Sequence, residues 1–169
     1  MRTTRLFLLA LIACNFGSKP VEVHELGEFE YEMPSDWKAD ARNEAGRQVV
    51  EWTPKQNDRK ESITLIQSEP LPAMANAGSD IVLGHLFEAQ RGLGGAFDSP
   101  TLTTSKHGFK VARIEGSFTP RDRTQPFRRM HAVVIVDDRL VHIFYTAERA
   151  TPKRDALSAV INSFNRKGA

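Results

Sequence analysis

Five histidines, at positions 24, 85, 107, 131 and 142, are the side chains best suited to hold a metal or move a proton near neutral pH. His131 and His142 fall in the β-rich run Met130–Thr146, which reads as a hairpin turning at Asp138-Arg139. The register gives both rings one face. A turn centred there sets His142 opposite Ile135, four residues from His131 and too far for two ligands of one ion. No cysteine or acid stands beside them at the spacing of a zinc site, so no metal is expected. Ser99, Ser105 and Ser117 have no evident base, and there is no G-x-S-x-G nucleophile turn. Gly92-Leu93-Gly94-Gly95 follows a helical pattern, whereas a phosphate cradle precedes its helix, so it reads as a helix end. The acids between Glu22 and Glu44 alternate with apolar residues and read as a solvated face. The expectation is no catalytic set and no cofactor.

The charge distribution is more informative. Val21–Ala45 holds eight acids against Lys38 and Arg42, and Thr101–Met130 holds seven bases against Glu115 and Asp122. Within the second stretch, Thr119–Arg129 (TPRDRTQPFRR) reads as a loop between strands. Arginine and aromatic side chains are enriched at contact surfaces, so Arg121, Arg123, Phe127, Arg128 and Arg129 are the candidate partner-binding residues. The plainer account is internal neutralisation of this loop by the acidic segment.

The only cysteine, Cys14, ends a short apolar run behind Arg2 and Arg5. Leu6–Ala13 is far below the roughly 20 residues of a spanning helix and reads as an export signal. Leu11-Ile12-Ala13-Cys14 resembles the lipobox of bacterial lipoproteins. That resemblance implies cleavage after Ala13 and diacylglyceryl and N-acyl chains on Cys14. Stable anchoring needs more than one chain, and these supply it. Asn15 is not the aspartate associated with inner-membrane retention, so the outer membrane is favoured in a diderm cell. Processing removes two of 23 bases and none of 21 acids, leaving 21 of each. A nucleic-acid binder shows a basic excess, so no nucleic acid is expected. With no cysteine after 14, the domain holds together without a disulfide.

The elements that would position these residues follow from periodicity. Residues 1–13 are signal, 14–26 lipidated cysteine and tether, and 27–169 one globular domain. Phe29, Tyr31 and Met33 alternate with acids in a half-buried strand ended by Pro34. Arg47–Pro54 and Glu61–Ser68 form two more strands. Ser79 caps a helix of Val82, Leu83, Leu86, Phe87 and Gln90. Phe109–Phe118 is a strand, and Thr151 and Pro152 start a helix with Leu157, Val160, Ile161 and Phe164 on one stripe. Val133, Ile135 and Phe144 share one face of the last hairpin, and Val134, Val136, Val141, Ile143 and Tyr145 the other. Strands apolar on both faces are covered on both. The expected fold is α+β: an antiparallel sheet of about six strands with helices on both faces, an α/β/α sandwich.

Taken in order, YEMPSDW, the Ser79–Gly92 helix, GFKVARIEG, VVIVDDRLVHIFYTA and ALSAVINSF resemble the Mog1/PsbP-like fold, in its DcrB-like bacterial lipoprotein form. The resemblance implies no catalytic residues. Its members are mostly binding or assembly factors. The expected function is a non-enzymatic envelope lipoprotein that binds or assembles a protein partner. Two alternatives are a ligand-binding or hydrolytic enzyme with a pocket on the sheet, and a structural lipoprotein without a specific ligand.

Overall fold

The computed structural model describes residues 20–56, 60–70, 79–148 and 154–168. In chain order the elements are β1 (Val21–Leu26), β2 (Phe29–Pro34), β3 (Trp37–Glu44), β4 (Arg47–Pro54), β5 (Ser62–Gln67) and α1 (Ser79–Arg91). They continue with β6 (Ala96–Phe97), β7 (Thr101–Thr104), β8 (Lys110–Phe118), β9 (Phe127–Val136), β10 (Arg139–Ala147), α2 (Arg154–Ser163) and β11 (Asn165–Arg166). An eight-stranded antiparallel sheet runs β3-β4-β5-β10-β9-β8, with β6 and β7 sharing the outer edge of β8. β1, β2 and β11 make a second sheet of three strands.

Strand periodicity of two sends alternate residues to opposite faces, and both faces of β9 and β10 are apolar. On one, Met130, Ala132, Val134, Val141, Ile143 and Tyr145 pack with Phe29, Tyr31 and Met33 of β2 and with Leu157, Val160 and Phe164 of α2. Trp52 Nε1–H donates to the Tyr31 hydroxyl at 2.9 Å within this layer, and the His24 ring meets Trp52 edge-on at 4.4 Å. On the other face, Ala112, Ile114, Val133 and Leu140 pack with Val82 and Leu86 of α1.

The protein is therefore mostly antiparallel sheet with two helices among the described residues, one against each face. It departs from the expected helix-covered sandwich of about six strands in three respects. The sheet has eight strands, one covering layer is part helix and part second sheet, and Val21–Leu26, read as tether, is a strand paired with β2. β3 also escaped notice, because every residue in it after Trp37 is exposed. The last hairpin turns at Asp137-Asp138, one residue earlier than expected, with Asp137 at φ 49°. The expected helix start at Thr151 and Pro152 lies outside the described residues.

The connections gather in a definite way. Ser35 N–H donates to the Pro20 carbonyl at 2.9 Å, and Lys55 N–H donates to the Asp36 carbonyl at 2.8 Å. Trp52 pairs with Ile63, Ile63 with Tyr145, Tyr145 with Met130 and Met130 with Glu115. Hence the chain's passage into β1, the turn at 35–36, the β4–β5 connection and the β8–β9 loop all lie at one end of the sheet.

Leu157 is fully buried between α2 and the sheet. Leu157→Ala removes that packing and leaves a cavity, so it is expected to cost about 2–5 kcal/mol, read as a lowered denaturant midpoint with an unchanged slope.

Candidate functional site

The most polar cluster in the interior lies on the α1 face of β9 and β10. The earlier turn shifts the pairing so that His142 stands opposite Val133 and His131 opposite Phe144. The two histidines are thereby diagonal neighbours, and the expectation that they lie apart is overturned. His131 Nε2 is 3.0 Å from His142 Nδ1. On the other side, Gln90 Nε2 of α1 is 3.0 Å from His131 Nδ1. An amide nitrogen donates, so the chain of bonds has one direction: Gln90 to His131, then His131 Nε2–H to His142. His142 Nε2 is left as the terminal N–H.

Gln90 is 3% exposed and His131 4%, and the Gln90 Oε1 is buried without a hydrogen-bond partner. Burial disfavours the imidazolium, and the neighbouring His142 and Arg129 add to it, so the His131 pKa is pushed down to about 2. Burial and the charge of Arg47 also lower that of His142. Both rings are neutral at physiological pH. The arrangement is a neutral hydrogen-bonded relay joining α1 to the sheet. Among the described residues no group of three or more His, Cys, Asp or Glu is placed to hold a metal ion.

The relay continues into the predicted arginine segment. The His131 ring stacks on Phe144 at 4.0 Å. The Arg129 guanidinium lies 4.6 Å from the Phe144 ring centre and 5.7 Å from that of Phe118. No carboxylate pairs with it among the described residues, and burial lowers its pKa. Gly116 faces Arg129 across the β8–β9 ladder. A Cβ there would collide with the Ala96 carbonyl and the Phe97 ring of β6, so only glycine admits that edge strand.

Of the five predicted contact residues, the structure keeps two on the open loop and draws three into β9. Arg121 and Arg123 are exposed, with Arg123 3.7 Å from Asp122. Phe127 opens β9 and pairs with Phe118, ring centres 6.2 Å apart. Arg128 points to the opposite face from Arg129 and meets Glu115 at 3.2 Å. Cys14 lies outside the described residues. Internal neutralisation takes a different form from the one expected. The acidic segment is met by Arg139 on Glu28, Lys167 on Glu25 and Arg42 on Asp40 and Glu44. Gln90, Phe118 and Phe144 were not singled out in the sequence. The one signal for Gln90 was its place on the apolar stripe of α1.

A depression of about 400 Å³ lies beside α2, among Glu30, Glu32, Lys106, His107, Asn162 and Ser163. It is away from the relay.

No protein-family model matches this sequence, and no curated protein matches it. Among solved structures, it is similar to LpqN, involved in cell envelope biogenesis of Mycobacterium tuberculosis. The TM-score is 0.55 at 13% identity, covering 90% of this chain and 86% of that one. It is also similar to a protein of Bacteroides thetaiotaomicron, with a TM-score of 0.56 at 13% identity, covering 83% of this chain. This chain spans 45% of that protein's length. At these identities the likeness is one of fold.

The relay makes stability depend on pH. A histidine whose folded pKa is depressed takes up its proton in the unfolded state first. Stability is therefore complete above the ordinary value near 6.5 and falls as pH drops below it, by about 1.4 kcal/mol per unit for each ring held neutral. Urea midpoints should fall between about pH 7 and 5.5, and His131→Phe/His142→Phe should flatten that slope. A flat profile in the natural chain would count against the buried neutral pair.

Proposed function

We propose that this protein is a lipid-anchored, non-catalytic binding or assembly module of the bacterial envelope, of the Mog1/PsbP-like type. The observation that carries this reading is the fold likeness to an envelope-biogenesis protein over most of both chains, in a sequence that carries Leu11-Ile12-Ala13-Cys14. That no helix among the described residues is long and apolar enough to cross a membrane fits attachment by acyl chains. In this reading Cys14 carries diacylglyceryl and N-acyl groups. The outer membrane is the favoured location in a diderm cell, and an envelope protein is the partner. No cofactor and no nucleic acid enters the scheme.

The chemistry of the interior supports a module without turnover. His131 and His142 are engaged with Gln90 and with each other, and Arg129 is engaged with two aromatic rings. These groups brace α1 and the sheet. The accessible part of the predicted contact segment is Arg121 and Arg123, which face an anionic partner, either protein or lipid headgroup. Arg128 and Arg129 belong to the packing, so substitutions there are expected to lower stability.

The anchor is tested by labelling growing cells with radioactive palmitate. The natural chain should carry label and sediment with membranes, whereas Cys14→Ser should carry none and appear in the soluble fraction or as unprocessed precursor. Membrane sedimentation of a processed, unlabelled chain would sink the reading.

A further inference from the structure

β3 is the end strand of the eight-stranded sheet, with β4 as its one neighbour among the described residues. The other end of that sheet is covered by the short strands β6 and β7. β3 is eight residues long, contains no proline after Trp37, and meets β4 residue for residue without a bulge. It thus lacks three of the devices that keep sheet edges apart. Its backbone is also aimed outward at regular places. The turn at Ala45-Gly46 has both residues at positive φ, the two-residue type that joins paired strands, and it closes on the pair Glu44–Arg47. Hydrogen-bonded and open pairs alternate from there, so Lys38, Asp40, Arg42 and Glu44 direct their backbone groups to β4. The bond from Lys55 N–H to the Asp36 carbonyl at 2.8 Å continues the same parity. Ala39, Ala41 and Asn43 therefore turn their N–H and C=O groups to the free edge. We propose that this edge pairs antiparallel with β3 of a second copy of this chain, about a two-fold axis at Ala41, joining the two sheets into one.

The order of charges selects both the partner and the register. Lys38, Asp40, Arg42 and Glu44 alternate in sign along one face of β3, and all are exposed. An antiparallel copy centred on Ala41 sets Lys38 opposite Glu44 and Asp40 opposite Arg42, each pair occurring twice. Opposite charges directly across a ladder attract, and like charges repel. A centre one residue earlier puts Asp40 on Asp40 and Lys38 on Arg42. One residue later, Arg42 meets Arg42 and Asp40 meets Glu44. The single chain leaves this face unevenly paired. Asp40 stands opposite Glu51, and one guanidinium, that of Arg42, serves Asp40, Glu44 and Glu51. Lys38 makes no ion pair among the described residues. A second copy brings its own Arg42 to Asp40 and its own Lys38 to Glu44. On the opposite face Ala39 and Ala41 are exposed and small, so a facing strand meets little bulk there. β1, an edge of the smaller sheet, offers no such match. It carries Glu22 and Glu25 and no Lys or Arg, so a second β1 would add only like charge.

The pairing does not depend on the lipid anchor, so it is tested in the chain carrying Cys14→Ser, which then has no cysteine. A seam of two strands is a small interface and gives a transient pair, so molar mass is followed by sedimentation equilibrium from about 1 μM to about 1 mM. It should rise from one chain towards two. Lys38→Glu breaks no ion pair of the single chain, so it should melt normally. It turns two attractive pairs of the dimer repulsive and should weaken association by about tenfold. Adding Glu44→Lys exchanges the charges and should restore the association. A mass of one chain throughout, or association that Lys38→Glu leaves unchanged, overturns the proposal. Single cysteines then read the register. Ala41→Cys lies on the axis, where facing Cα atoms are about 5.5 Å apart, within the span of a disulfide, and it should oxidise to a covalent dimer. Ala39→Cys and Asn43→Cys each lie about 14 Å along the strand from their own copy and should not. Equal crosslinking at all three positions, or none at Ala41→Cys, overturns the proposal.

Discussion

The register between β9 and β10 is the constraint on which the other contacts depend. Both strands are buried on both sides, so each residue is committed to one of two unlike environments. Sliding the pair by one position would move Val134, Val141 and Ile143 towards α1 and send the histidines into the layer of Phe29 and Leu157. The two-residue turn at Asp137-Asp138 holds the register, with Asp137 in the left-handed region and in contact with Arg166. From that pairing follow the diagonal contact of His131 and His142, the reach of Gln90 into the pair, and the seat of Arg129 between two aromatic rings. A buried polar chain is costly when partly satisfied, and here it has one geometry in which most members are served. It therefore reinforces the register that created it.

Much of this was legible from patterning. The two faces of the last hairpin, the stripe of α2 and the span of α1 follow from periods of 2 and 3.6, because burial imposes those periods. The sequence was silent where burial is sparse: β1 buries fully only Leu26 and β3 only Trp37, so neither strand leaves much apolar signature. The histidine pair was misjudged by one step of the turn. Asp138-Arg139 and Asp137-Asp138 differ little as text, yet moving the centre by one shifts the cross-strand partner by two residues. The physical signal was available, since aspartate tolerates a positive φ better than arginine does. Arg128 and Arg129 were read as part of the Thr119–Arg129 loop, although β9 begins at Phe127, directly after Pro126, and proline leaves the following residues free to begin a strand.

Charge in this molecule is arranged by distance along the strands more than by sequence block. The acidic stretch at 21–45 looked like a counterpart for the arginine loop, but its acids find Arg139, Lys167 and Arg42 nearer to hand. Arg128 finds Glu115 on its own face. Of the four arginines in the predicted segment, Arg121 and Arg123 remain turned outward.

The position of β1 also determines how the domain bears load. It is an edge strand paired only with β2, through six residue pairs from Val21–Pro34 to Leu26–Phe29. Ladder bonds in an antiparallel pair stand perpendicular to the strands. A pull delivered at Pro20 along the strand direction therefore shears all of those bonds together, and does not peel them apart in succession. The contact of His24 with Trp52 opposes the same sliding motion. Drag on the domain would thus meet its stiffest coordinate first, and a strand that looks marginal by burial serves as a mechanical coupling.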